Sequence, residues 1–236
     1  MTSPFAIEAI DDFAPFGITA FTTRREAGTF GTAGSEPVSE VMHRWDALRA
    51  YLRSLGAGRL ATAHQVHGDR VLVHDAGWEG WLRSSAADGH VSLAEGTGMA
   101  VTIADCVPVF IAHPSGAAGA IHSGWRGTAA RIVERGIDAL ARRGLPAAEL
   151  RIHLGPAICG KCYEVSADVF IQLTGRDPGK PTAVDLRTLI AAQARAAGVR
   201  HLSISDRCTR CDNADFFSHR AGDSGRQLGV IATPLS

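Results

Sequence analysis

Apolar residues recur every three or four positions in four stretches of the chain, which is the spacing that buries one face of an α-helix. Over residues 39–55 the apolar positions are Val41, Trp45, Leu48, Leu52 and Leu55. Gly56 follows them as a C-terminal stop. The same spacing predicts three further helices, over residues 126–143, 166–173 and 185–197.

Shorter apolar runs predict strands. They are RLATAHQV, RVLVHD, GMAVTIADCVPVFIAHP, ELRIHLG, HLSISD and QLGVIAT, which begin at residues 59, 70, 98, 149, 201 and 227. Gly68 and Asp69 form a turn between the first two runs, and the third run is long enough for a buried strand pair or one bent strand. Pro108 within that run indicates a bulge or a sheet edge, because proline donates no ladder hydrogen bond. The order of elements predicts the α+β class, with a mixed sheet core and helices outside it.

Length and charge narrow the range of partners. The 236 residues, 45% of them hydrophobic, suffice for one core, so we expect a single domain over residues 1–236. The 24 basic residues balance 24 acidic ones, which favours a small-molecule partner over nucleic acid or an anionic membrane. The amino-terminal MTSPFAIEAIDDFAP is acidic where a signal peptide is basic, and no apolar run approaches the roughly 18 residues of a membrane span. The sequence therefore predicts a cytoplasmic protein, in which the five cysteines are thiols, metal ligands or a nucleophile.

Three residues with metal-binding side chains occur in similar settings. His67 ends a strand in HQVHG, Cys106 lies in ADCVP, and His122 ends a strand in AIHSGWRGTAARI. Two imidazoles and one thiolate are good zinc ligands, and three protein ligands leave the fourth tetrahedral position open for water or substrate. The alternative for each residue alone is a structural role in the core.

Five segments carry a resemblance to a known family, and they span nearly the whole chain. They are QVHGDRV, ADCVPVFI, AIHSGWRGTAARI, LGPAICGKCYEV and CTRCDNADFFSHR. In this order they resemble the family known variously as multicopper polyphenol oxidase (laccase-like), peptidoglycan editing factor and purine nucleoside phosphorylase. The resemblance implies a catalytic zinc on His67, Cys106 and His122, and a β-sandwich core flanked by helices, similar to that of deamidase toxins.

The resemblance implies an enzyme that cleaves purine nucleosides by phosphorolysis and deaminates adenosine, with adenosine, inosine and methylthioadenosine as candidate substrates. Phosphorolysis needs an anion site, and Arg126 precedes a helix expected to begin near Thr128. Arg24, in TTRR, is the second candidate phosphate ligand. Cys162 and Arg220 match family positions near the substrate. The partners are then a nucleoside and phosphate, and the chain is a monomer or homodimer.

Three other function classes stay open. Two histidines and one cysteine also suit a blue-copper site, with Met99 as an axial ligand. However, the 10 histidines include no His-x-His pair of the kind that laccase clusters use, so copper is only the alternative metal. Cys106 and His122 could also act as a nucleophile and base in an amidase that edits peptidoglycan precursors. A metal-stabilised interaction domain is the non-enzyme reading.

The remaining four cysteines form two C-x-x-C pairs. Cys159 and Cys162 make the first, Cys208 and Cys211 the second, and by composition they could build a structural zinc site. The gap between the pairs is much longer than in compact zinc ribbons. On the sequence alone we favour free thiols that line the core or the active-site wall.

Overall fold

The computed structural model describes residues 3–235. Met1, Thr2 and Ser236, which the predicted domain over 1–236 includes, lie outside this part. Its α-helices are α1 (Val38–Ser54), α2 (Trp125–Ala129), α3 (Ile132–Ala141), α4 (Ala167–Thr174) and α5 (Leu186–Ala196). Its strands are β1 (Ile7–Ala9), β2 (Thr19–Thr23), β3 (Arg59–Ala63), β4 (Val71–His74), β5 (Gly80–Ser84), β6 (Gly89–Ser92), β7 (Thr97–Ile103), β8 (Val107–Ala112), β9 (Ala118–Ser123), β10 (Arg151–Leu154), β11 (Glu164–Val165), β12 (Thr182–Ala183), β13 (His201–Ile204) and β14 (Gln227–Ala232).

Two six-stranded sheets and one small hairpin contain these strands. The first sheet has the order β1-β2-β14-β7-β3-β5 and the second β13-β10-β8-β9-β6-β4. Both are mixed: β3 runs parallel to β5 and β7, and β4 parallel to β6, whereas β8 and β9 are antiparallel. The α+β class predicted from the element order is confirmed. The further likeness to deamidase toxins stays a prediction.

The core forms three apolar layers between four layers of secondary structure. Met99, Ile103 and Ile231 of the first sheet meet Phe110 and Ala120 of the second in the central layer. On one outer face, helix α1 packs on the first sheet through its buried apolar positions. On the other, helices α3 and α5 pack on the second sheet. This arrangement buries both faces of the central strands, which explains why β8 is apolar throughout and β9 is apolar up to Ile121.

The long run 98–114 is a pair of strands, β7 and β8, that belong to different sheets. Asp105 lies in the connection with a left-handed backbone (φ 82°), so the chain bends sharply there. The edge predicted at Pro108 is wrong, because β8 pairs with β9 and β10 on its two sides. Pro108 is tolerated because it is opposite Gly155, one residue beyond the ladder between β8 and β10, and there only its carbonyl is used.

The helix predicted over residues 126–143 is two helices. Arg131 has a left-handed backbone (φ 62°), which ends α2 after five residues and starts α3 in a new direction. Apolar spacing alone did not indicate this break, because Ile132, Val133 and Ile137 remain on a buried face. The other three predicted helices are confirmed as α1, α4 and α5. No helix in the part of the chain that the structure describes is long and apolar enough to cross a membrane.

Candidate functional site

The fold brings together the three residues with metal-binding side chains. His67 follows β3, Cys106 lies between β7 and β8, and His122 is in β9. One ligand atom from each lies within 4.8 Å of the others. The two imidazole rings are 4.7 Å apart between centroids and meet edge to face at 81°. Strand ends from both sheets therefore contribute to one site.

Gly124 leaves space beside these side chains. A Cβ atom at this position would lie 2.9 Å from Cys106 Sγ and 3.0 Å from His67 Cδ2. Such contacts are closer than van der Waals packing allows, so any other residue would displace the thiol or the imidazole. The turn after β9 thus requires glycine for the geometry of the triad.

Asp88 organises two of the three residues through its buried carboxylate. Its Oδ1 accepts hydrogen bonds from His122 Nδ1 at 2.8 Å and from the backbone N–H of His67 at 2.9 Å. Its Oδ2 accepts from the N–H groups of Gly68 at 2.8 Å and Val66 at 3.1 Å. A histidine that donates its Nδ1 proton presents Nε2 as the free ligand atom. Asp88 therefore fixes the tautomer of His122 and the loop that carries His67.

Without metal, the triad holds a thiolate beside a protonated imidazole. Burial raises the pKa of the Cys106 thiol, but His122 and His67 outweigh it and lower the pKa to about 6. Burial lowers the pKa of His122, but Cys106 and Asp88 outweigh it and raise the pKa to about 9. At neutral pH both ring nitrogens of His122 therefore carry a proton.

We expect zinc affinity at the triad to rise about tenfold per pH unit between about pH 7 and about pH 9. Because the pKa of His122 is about 9, a metal ion has to displace the proton on Nε2 over this range, and above about pH 9 Nε2 is already free. Competition with a chelating dye, corrected for the dye's own protonation, measures the slope. A pH-independent affinity over this range would show that His122 is already neutral or is not a ligand.

The triad opens into a cavity of about 450 Å³. Its lining combines cations with aromatic rings: Gln65, His67, Thr102, Ala104, Asp105, Cys106, His122, Trp125, Arg126, Tyr163, His219, Arg220 and Arg226. A second cavity of about 540 Å³ adjoins it and shares Gln65, Thr102, His219 and Arg226. His64 lines only the second of these two cavities.

The cavity of about 450 Å³ is called the metal cavity below, after the metal-binding residue types of the triad. Two of the four predicted substrate residues line it. Arg126 is exposed, and its guanidinium lies 4.5 Å from the Trp125 ring. Arg220 stacks 5.0 Å from the Tyr163 ring and donates from both terminal nitrogens to the carbonyl of Glu164 at 3.2 Å. Both cations are thus positioned at the cavity by contact with an aromatic ring.

The structure places the other predicted residues elsewhere. Arg24 is not among the residues that line the metal cavity, and its buried Nε has no hydrogen-bond partner within residues 3–235. Cys162 also lies outside this lining, with its Sγ 3.5 Å from that of Cys211. Met99 is fully buried between the two sheets and is not among the residues that line the cavity, so its place as a copper ligand stays a prediction.

Asp88, Tyr163 and His219 belong to the site but were not predicted from the sequence. Asp88 precedes β6, and only the pairing of β6 with β9 brings it to His122. Tyr163 follows Cys162 in the motif CYEV. The motif indicated a residue near the substrate, but Tyr163 lines the cavity and Cys162 does not. Burial is the largest influence on the Tyr163 hydroxyl and, with the Cys106 thiolate, raises its pKa to about 12. It therefore remains a proton donor at neutral pH.

The fold and the site together define an α+β protein with an open cavity at a His-Cys-His group. The chain belongs to the family described as Multi-copper polyphenol oxidoreductase laccase, whose model matches residues 27–234. This confirms the resemblance carried by the sequence motifs.

Similar proteins carry enzyme names. A protein from Streptomyces griseus, named purine nucleoside phosphorylase ORF3, is 32% identical over 92% of this chain and 88% of its own length. Adenosine deaminase RL5, from an unknown prokaryotic organism, is 32% identical over 72% of this chain and 71% of its own. The crystal structure of YlmD from Geobacillus stearothermophilus superposes with a TM-score of 0.85 at 28% identity, over 94% of both chains.

Proposed function

We propose that the protein is a zinc-dependent purine nucleoside phosphorylase, a glycosyltransferase that also deaminates adenosine hydrolytically. Inosine, adenosine and methylthioadenosine are the candidate nucleosides. The observation that carries the proposal is the open His67-Cys106-His122 group at the base of a cavity lined by Arg126 and Arg220. The names of its relatives support the substrate class.

The triad fits a zinc ion by its chemistry. It offers two imidazoles and one thiol, its ligand atoms converge, and Asp88 directs the free nitrogen of His122 towards the same point. Zinc bound there would activate water as a nucleophile near neutral pH, as deamination at the purine C6 requires. Trp125 and Tyr163 line the cavity and supply apolar surface for a purine ring.

In phosphorolysis a phosphate oxygen bonds to C1′ of the sugar while the glycosidic C–N bond breaks, and the departing base takes the electron pair. The chain must therefore hold an anion beside the sugar. Helix α2 has only five residues, so its amides offer little support, and the anion site we propose rests on the side chains of Arg126 and Arg220. Arg24 remains the second-ranked ligand.

Arg126→Ala should slow inosine phosphorolysis by about ten- to a hundredfold, mainly through weaker use of phosphate. An arginine–phosphate contact contributes about 1.5–3 kcal/mol, and deamination, which needs no phosphate, should fall much less. Initial rates of both reactions across a phosphate titration show how far the substitution slows each of them. Arg24→Ala tests the alternative ligand, and Arg135→Ala, an exposed arginine paired with Asp69, is the matched control. An unchanged apparent phosphate affinity in Arg126→Ala would make this arginine a support for the turn.

Copper is the alternative metal, and with it a polyphenol oxidase activity. The family description favours copper, but Met99, the methionine considered as a copper ligand, does not line the cavity. A blue-copper site absorbs strongly in the visible, whereas a zinc site does not. The absorption spectrum of protein purified without added metal therefore separates the two.

A peptidoglycan-precursor amidase is the second candidate function. It is favoured by the contact of Cys106 with His122, which would leave a reactive thiolate beside a protonated imidazole in a metal-free enzyme. A zinc-coordinated thiolate cannot also attack a substrate carbonyl. Zinc bound to the triad in the purified protein would therefore exclude this mechanism. Amidase activity in metal-free protein would support it.

The remaining proposals concern the whole chain. We propose that it works as a single domain in the cytoplasm, as a monomer or homodimer. Its balanced charge supports a small-molecule substrate and argues against nucleic acid or an anionic membrane as a partner.

A further inference from the structure

We propose that Cys159, Cys162, Cys208 and Cys211 bind a second, structural zinc ion. One sulfur from each of these residues lies within 4.8 Å of the other three. The group shares no residue with the triad and does not line the metal cavity. The proposal is independent of the reaction at the first site.

The two C-x-x-C pairs have the local backbone structure of metal-binding turns. The N–H of Cys211 donates to the sulfur of Cys208 at 3.4 Å, within one pair. The N–H of Cys159 donates to the same sulfur at 3.3 Å, between the pairs. Cys162 N–H donates to the carbonyl of Cys159 at 2.9 Å, which closes the first turn. Amide donors of this kind stabilise a thiolate, the form that zinc binds.

The long interval between the pairs, which made a second metal the less favoured interpretation of the sequence, is closed by the fold. Ala157 and Cys208 form a parallel β-bridge that brings the two turns side by side. The four sulfurs then face one another, rather than the core or the active-site wall. Cys162 and Cys211, from different turns, have their sulfurs 3.5 Å apart.

Charge and chemistry select zinc. A four-thiolate site around a divalent ion carries two net negative charges, and each pair contains one cation, in CGKC and CTRC. Arg210 donates to the carbonyl of Cys162 at 3.3 Å, so this cation lies across the two turns. Four thiolates form a closed tetrahedral set, which is typical of structural zinc and leaves no position for substrate.

A zinc ion at this site would connect two segments of the chain that line the metal cavity. Tyr163 follows Cys162 directly, and Arg220 lies nine residues beyond Cys211 on the segment that stacks on Tyr163. The proposed zinc would join these segments at a point outside the cavity. Its role is positional, and it takes no part in the reaction.

The first experiment is a metal count on protein expressed and purified without added metal or chelator. Plasma emission spectroscopy should find about two zinc ions per chain in the wild type and about one in Cys159→Ser/Cys208→Ser. Cys211→Ser, at an exposed position, is the milder variant in case the double variant does not fold. A wild-type count of about one, held by the triad, would overturn the proposal.

The second experiment isolates the proposed site in a His67→Ala/His122→Ala variant, which lacks two of the three triad ligands. Its zinc X-ray absorption spectrum should show sulfur neighbours at about 2.3 Å and no nitrogen neighbours. Cobalt in place of zinc should give the intense charge-transfer bands of tetrahedral thiolate coordination. A metal-free variant with four titratable thiols besides Cys106, or with disulfides among them, would contradict the assignment.

Discussion

Cys106→Ala should abolish both inosine phosphorolysis and adenosine deamination. The thiolate is one of three candidate ligands, and its loss changes the acidity and the position of metal-activated water together. The alanine also removes one of the two neighbouring charges that raise the pKa of His122 and leaves only that of Asp88. Initial rates, with the zinc content of the triad measured on the same samples, test this result.

The metal content separates the explanations of an inactive Cys106→Ala enzyme. A zinc site predicts that activity and one zinc ion per chain are lost together. An amidase that uses Cys106 as its nucleophile predicts instead that the variant loses amidase activity, and that the wild type never held metal at the triad. Full zinc content and full activity in the variant would show that Cys106 is neither a zinc ligand nor a nucleophile. An unchanged circular dichroism spectrum would show that the variant is folded.

The second large effect is expected for Asp88→Asn, which should weaken zinc binding at the triad by about 10–100-fold. The carboxylate accepts from four N–H donors, including His122 Nδ1. An amide of the same shape replaces one accepting oxygen by an NH₂ group, so in either orientation two of these donors lose their acceptor. We also expect the free energy of unfolding to fall by about 1–3 kcal/mol, because buried donors are left unpaired.

Asp75→Asn is the matched control for this substitution. Asp75 is an exposed aspartate whose carboxylate accepts from Arg143 at 2.9 Å, and Arg143 is not a candidate ligand. It should leave zinc affinity unchanged and alter stability only slightly. Equal zinc affinity in Asp88→Asn and the wild type would show that the hydrogen bond to His122 does not orient a ligand.

Most elements of the fold follow from apolar spacing, but their arrangement does not. The spacing predicted α1, α4, α5 and the strands around residues 59, 149, 201 and 227. It missed β5 and β6, whose short runs GWLRS and GHVS have little alternation. Nor could it show that β7 and β8 enter different sheets, because both strands are buried on both faces and look alike in sequence.

The residues of the candidate site were also only partly predictable from the sequence. Residue type and family resemblance together selected His67, Cys106 and His122, which the fold brings to one point. They did not select Asp88, because an aspartate before a strand has no distinctive pattern and its role depends on long-range strand pairing. The long interval between the C-x-x-C pairs did not predict their proximity for a related reason: separation along the chain says little once a β-bridge connects the two turns.

The backbone of His67 has a consequence for the rate of metal capture. It holds a left-handed conformation (φ 60°) that costs a non-glycine residue about 1–3 kcal/mol, and the Asp88 carboxylate grips the amides on both sides of it. The folding free energy of the protein compensates this strain before any ion binds. The ion therefore encounters a rigid, ready-made receptor, and its binding need not wait for a loop to order.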